Sequence, residues 1–251
     1  MIADERAVSD LVGFILSFSL ILLAVTLVFT GGFAAISDQQ QDEQIHNTER
    51  AMSVLAENFH DIERGNAPTR AGEFQLSGGT LSLEQSARFT VLVGHNNGTL
   101  PETVRTGSLS YIHKGTKISY ENGAVLRTND GYGFMSREPT VTCRDDKAIV
   151  SLVEIDPRGN LTTLSTSGSV LVTIEKQDST LYYPMKENET IVNKADAAHN
   201  VTIRIEESRH KNAWENWFNE RDGWNQTAEG HTCEADTVFV RTTKVTVRLL
   251  E

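Results

Sequence analysis

The chain has 251 residues, 34 Asp and Glu against 23 Lys and Arg, and a formal net charge of −11. Its length allows one or two compact domains, and a 39% hydrophobic share is enough for a core. The sign of the charge argues against a nucleic-acid partner, because phosphate contacts need clustered basic side chains. Only 8 of the basic residues are Lys, an acidic, Lys-poor balance suited to concentrated salt, where repulsion between carboxylates is screened.

The first element in chain order is apolar. No charge falls between Asp10 and Asp38, and the run Leu11 to Ser37 covers 27 positions. As a helix it reaches about 40 Å, more than the roughly 30 Å of a bilayer's hydrocarbon core. A helix also satisfies its own backbone hydrogen bonds, as lipid requires. A removable signal peptide needs a basic leader and a shorter apolar stretch. Here the leader is Asp4-Glu5-Arg6, and only Gly32-Phe33-Ala34 mimics a cleavage site. The expectation is a membrane-embedded helix.

Arg6-Ala7-Val8-Ser9-Asp10 followed by Leu11-Val12-Gly13 resembles the class III signal of archaeal type IV pilins and pilin-like proteins. The resemblance covers roughly residues 5 to 30. It implies that a prepilin peptidase cuts between Ala7 and Val8, so that Arg6, Ala7 and Val8 form the processing site. Residues 1–7 are then a leader, and 8–37 a transmembrane or filament-core helix that meets membrane lipid and other pilin-like subunits. The chain carries Asp10 where archaeal pilins often have Pro, and Val12 where bacterial pilins have Glu.

Residues 38–65 read as an amphipathic extension of the helix. Ile45, Thr48, Met52, Leu55, Phe59 and Ile62 recur at spacings of 3 and 4, forming one stripe. Gly65 supplies a stop and Pro68 prevents resumption, while Gly31-Gly32 is the expected place for a kink or break. The favoured partner for the stripe is the protein's own β-domain; the other is a neighbouring subunit.

From Glu73 the period changes from 3.6 to 2. Strands are expected at 88–93, 147–155, 169–175, 200–206 and 237–249. A hairpin is expected across Asn122-Gly123, a pair that favours the type I′ turn. Short strands separated by Gly, Asn and Asp, with no βαβ alternation, predict an α+β chain: the long helix, then an antiparallel β-rich, sandwich-like domain over 70–251. One short helix interrupts it near 208–221, where Trp214, Trp217 and Phe218 are expected to dock on a sheet. The stretches YIHKGTKISYENGAVL and AWENWF also look like the extracytoplasmic region of an uncharacterised haloarchaeal pilin-like family.

Arg6 before the helix, and no base after it until Arg50, favour a cytoplasmic N-terminus. Five N-x-T motifs, at Asn97, Asn160, Asn188, Asn200 and Asn225, all lie in the β-region and mark candidate N-glycosylation sites of a surface domain. An external location also permits a disulfide between Cys143 and Cys233, the one intramolecular pairing two Cys allow.

Motifs for catalysis are lacking. Seven His form no HExxH, and CxxC and GxSxG are absent. His231, Cys233 and Glu234 with Cys143 have weak metal spacing. Gly78-Gly79 and Gly131-Tyr132-Gly133 lack the Lys and the strand–helix context of a phosphate loop, and Asp145-Asp146 reads as a solvated turn. The expectation is no enzyme, cofactor or metal, but a pilin-like, single-pass cell-surface protein, in one version a minor filament subunit. The alternative is a permanently anchored extracytoplasmic module that binds a surface, glycan or partner protein. Residues 38–251 hold 31 acids and 22 bases, so the acidity belongs to the β-domain.

Overall fold

The computed structural model describes residues 5–76, 78–95, 98–129, 131–157, 162–165, 167–184, 186–187, 190–191 and 198–250, without the side chains of 5–10, 32–38, 40–41, 186–187 and 190–191. Helix α1 (Glu5–Arg64) comes first. Strands β1 (Thr69–Gln75), β2 (Thr80–Glu84), β3 (Arg88–His95), β4 (Gly98–Arg105), β5 (Ser108–His113), β6 (Thr116–Glu121), β7 (Ala124–Asn129), β8 (Tyr132–Arg137) and β9 (Val141–Arg144) follow. Next are β10 (Lys147–Pro157), β11 (Thr163–Ser165), β12 (Ser169–Tyr183), β13 (Lys186–Glu187), β14 (Thr190–Ile191) and β15 (Ala198–Glu207). Helix α2 (Lys211–Asn219) then leads into β16 (Trp224–Thr227), β17 (Gly230–Glu234) and β18 (Thr237–Leu250).

The chain divides into two units, Met1–His46 and Asn47–Glu251. Helical backbone passes through Gly31 and Gly32 without a break, and α1 from Asn47 onward belongs with the β-strands. The reason is burial. Thr48, Met52, Leu55, Phe59 and Ile62 are all buried. Phe59 stacks on Tyr120 of β6 at 4.0 Å between centroids, and Leu55 fills the space over Gly72 of β1. Ion pairs flank the stripe: Asp61 with Arg70, Glu57 with Arg137 and Glu63 with Arg241. The helix stops where Gly65 takes φ +82°, with Asn66 N–H donating to Asp61 O (2.9 Å) and Gly65 N–H to Ile62 O (3.1 Å). This is the six-to-one and five-to-two pairing of a Schellman ending.

Three large sheets, the two-stranded β13-β14 ladder and α2 make up the rest of this unit among the described residues. Sheet I has the order β1-β12-β18-β10-β9, sheet II β11-β2-β5-β6-β7-β8, and sheet III β16-β17-β15-β3-β4. One pair departs from the antiparallel expectation: β10 and β18 run parallel from Lys147↔Thr237 to Pro157↔Val247. The two strands lie far apart in sequence, and the chain between them builds part of sheet III before returning. Alternation along a strand specifies which face is buried, not the direction of its neighbour. A shared core joins Val150 and Leu152 of β10, Val238 and Val240 of β18, Phe89, Val91 and Val93 of β3, and Val201 and Ile203 of β15.

Turn chemistry follows the residues. Asn122 (φ 47°) and Gly123 (φ 84°) close β6 onto β7, and Asp145 (φ 52°) and Asp146 (φ 57°) close β9 onto β10. Both are two-residue loops of the type I′ kind. The Asp pair is thus a turn, as expected.

Candidate functional site

Two features stand out: an uncovered apolar helix segment, and a docked helix with a polar network and a groove beside it. The segment Leu11–Gly31 is long and apolar enough to cross a membrane, and none of it is buried. Its large side chains are exposed all round, including Phe14 (68%), Leu20 (70%) and Val28 (74%). A helix apolar on every side has no water-facing stripe and belongs in an apolar medium. Its two threonines bond within the helix: Thr26 Oγ1 donates to Leu22 O at 2.8 Å, and Thr30 Oγ1 to Thr26 O at 2.9 Å. The processing residues Arg6, Ala7 and Val8 lie in the first turns of α1; their side chains fall outside the described residues.

Helix α2 is shorter than the expected 208–221. Ala213, Trp214, Trp217 and Phe218 form its buried face. Trp214 meets Phe89 edge-on at 5.1 Å, and Phe218 stacks on His231 at 4.6 Å. Docking is therefore the role of these rings. The N-terminal end of α2 is held by a polar chain that the sequence reading missed. His210 Nε2 shares a hydrogen bond with Ser119 Oγ (2.9 Å) and Nδ1 with Thr128 Oγ1 (2.8 Å), and Ser119 Oγ pairs with Ser110 Oγ (2.8 Å). Trp214 Nε1 and Ser208 Oγ both donate to Glu121 Oε1 at 2.7 Å.

Burial governs the charges in this network. It pushes the Glu121 carboxyl up to about 7 against the two donors, and the His210 imidazole down to about 4. A Ser–His contact suggests a nucleophile and base. Here His210 is 3% exposed, Ser119 is fully buried, and the second ring nitrogen meets a threonine instead of an orienting carboxylate. The arrangement anchors α2 to sheet II. Contact partners so distant in sequence leave no local motif to find.

Cys143 of β9 and Cys233 of β17 are bonded, with Cα atoms 6.0 Å apart, which ties an edge of sheet I to sheet III. Both are thereby removed from metal ligation, and no group of three or more His, Cys, Asp or Glu able to hold a metal occurs among the described residues. Beside the bridge lies an open groove of about 640 Å³ lined by Cys143, Arg144, Trp217, Arg221, Asp222 and Trp224, among others. Arg221 sits over the Trp217 ring at 5.4 Å and pairs with Glu138. Of the five sequon asparagines, Asn97, Asn160 and Asn188 lie outside the described residues. Asn200 lies inside β15 and Asn225 on β16.

A family model described as "Family of unknown function (DUF7289)" matches residues 6–248. The chain belongs to that family. It is also similar to a protein of Archaeoglobus fulgidus named "Uncharacterized protein", 25% identical over 132 residues, 52% of this chain and 43% of the relative. The match thus spans less than half of the relative's length. No solved structure matches. The family match runs from the first turns of α1 into β18.

Proposed function

We propose that this is a membrane-anchored cell-surface protein of the type IV pilin-like kind, with a cytoplasmic N-terminus and the β-rich unit outside the cell. The observation that carries the reading is the bare apolar segment Leu11–Gly31, which no part of its own unit covers. The Cys143–Cys233 disulfide fits an oxidising exterior. The resemblance of Arg6-Ala7-Val8 and the following apolar run to the class III signal supplies the processing route. On this reading the helix holds the protein in lipid after the leader is cut, and is available for packing against pilin-like subunits. The role is structural, without catalysis.

Mass spectrometry of the protein from its native membrane fraction tests the reading. A mature N-terminus at Val8 in detergent-extractable protein is the expected result. A chain beginning at Met1 would remove the processing step and favour the second reading, a permanently anchored binding module whose open groove beside the disulfide takes the ligand. A chain beginning after Ala34, and free in the medium, would overturn both.

A further inference from the structure

We propose that Asn225 carries an N-linked oligosaccharide while Asn200, in the same motif, stays unmodified; the proposal rests on the external location of the β-unit argued above. Both sequons lie wholly within described strands, and their surroundings differ. Asn200 lies inside sheet III, with β17 on one side (Asn200↔Glu234) and β3 on the other (Asn200↔Gly94). Its side chain lies across Gly94, so closely that a Cβ there would be 2.3 Å from Asn200 Oδ1. The threonine of that motif, Thr202, is 5% exposed and shares a hydrogen bond with Thr232 Oγ1 at 2.8 Å. Asn200 is half-buried, and a sugar bonded to its Nδ2 would have to displace the amide from over Gly94. Chains modified there before folding would have to lift that side chain off β3.

Asn225 has the opposite setting. Strand β16 is an edge strand with one partner, β17, and its four residues read buried, exposed, exposed, exposed. Trp224 secures the inner side against Phe218 at 5.1 Å. Side chains alternate along a strand, so Asn225 and Thr227 project together from the other face. Thr227 is exposed, unlike Thr202, although its hydroxyl also lies 3.2 Å from Thr232 Oγ1; it donates to Gly230 O at 3.0 Å and accepts from Glu229 N–H at 3.3 Å within the tip of the β16–β17 hairpin. Both groups that a transferase must read are thus presented side by side on an accessible edge. An oligosaccharide there also shields the unpaired edge of β16 from pairing with another chain.

The step requires a lipid phosphate- or pyrophosphate-linked oligosaccharide donor. Asn225 Nδ2 forms a bond to the anomeric carbon, and the bond from that carbon to the phosphate oxygen breaks. The lipid phosphate leaves with the bonding electron pair, and the amide gives up one proton. No oxidation or reduction occurs.

Protein from the native membrane fraction, reduced and cut with trypsin, separates the two sites onto peptides 222–241 and 195–204. The expected result is an oligosaccharide mass on 222–241 and none on 195–204. Asn225→Gln and Thr227→Ala, each expressed in the native host, should lose the matching shift in gel mobility, and Thr227→Ser should keep it. A bare 222–241 peptide, or sugar on 195–204, overturns the proposal. Protease treatment of intact cells distinguishes the reason for failure. If the β-unit is shaved off while Asn225 is bare, the modification alone is wrong; if it is protected, the external location is wrong as well.

Discussion

Phe59→Ala tests whether the end of α1 is part of the β-unit's core. Phe59 is 1% exposed and lies face to face with Tyr120, itself fully buried, at 4.0 Å. Phe-to-Ala changes in cores cost about 3–5 kcal/mol, more where the site cannot collapse. Collapse is restricted here, because Tyr120 belongs to a strand paired on both sides and Leu55 already fills the space over Gly72. About 4 kcal/mol is therefore expected, and part of it is the lost ring pair, worth about 0.5–1.5 kcal/mol. The full chain in detergent, unfolded in urea with its disulfide intact, gives the measurement through tryptophan emission. Trp214, Trp217 and Trp224 all sit in the core cluster far along the chain from Phe59, so they report unfolding of the whole unit. At a slope of about 2–3 kcal/mol per molar urea the midpoint should fall by roughly 1.3–2 M. Val54→Ala, at an exposed position of the same helix, should shift stability by less than about 0.5 kcal/mol. If Phe59→Ala moves the midpoint no more than Val54→Ala does, the stripe is not core and the helix end is held by something else.

Other expectations follow from the same contacts. Unreduced, denatured protein should titrate no free thiols, and Cys143→Ser with Cys233→Ala should cost about 2–5 kcal/mol, because the bridge closes a loop with a sequence separation of 90. Burial raises Glu121 from 4.5 to about 7, so its folded state resists ionisation. Its effect on stability is nil below the unfolded value and becomes a cost of about 3 kcal/mol as pH rises past 7. Glu121→Gln keeps an acceptor for Trp214 and Ser208, and should flatten the urea midpoint between pH 5 and 8. His210 has the reverse sign: held near 4, it loses stability as pH falls from about 6.5 towards 4, and His210→Gln should remove that slope.

Periodicity carried the long elements. The stripe from Thr48 to Ile62, the Gly65 stop, the alternation in β3, β10, β15 and β18, and the Asn122-Gly123 turn are local patterns, and local physics decides them. Strand β12 was legible only to Glu175 and runs on to Tyr183. Its second half, Lys176-Gln177-Asp178-Ser179-Thr180, has little apolar alternation and is extended because β18 pairs with it through two bulges. Strands β1, β4, β8 and β16 were missed for a related reason: they are sheet edges, where one neighbour suffices and little side-chain burial marks the sequence. Strands β2, β5 and β17 are paired on both sides and largely buried, yet their five or six residues, with Ser, Thr and His among the buried positions, are too short and too polar for alternation to mark them.

The candidate sites show the same limit more sharply. Asn200 and Asn225 carry the same motif; local alternation puts Asn200 at the start of a strand but does not say which strand packs under its amide. They differ because Gly94, more than a hundred residues before Asn200, brings β3 under its amide, while among the described residues no strand pairs with β16 on its other side. Likewise Ser119 and His210 meet only because α2 docks through Trp214 and Phe218, and the same docking buries the imidazole and leaves Thr128 where a carboxylate would be needed. Motif reading identifies groups that are reactive in water. Whether they stay reactive depends on which distant strand meets them, so exposure at Asn225, the packing of the half-buried Asn200 over Gly94, and burial at His210 are properties of the sheet order and not of the residues themselves.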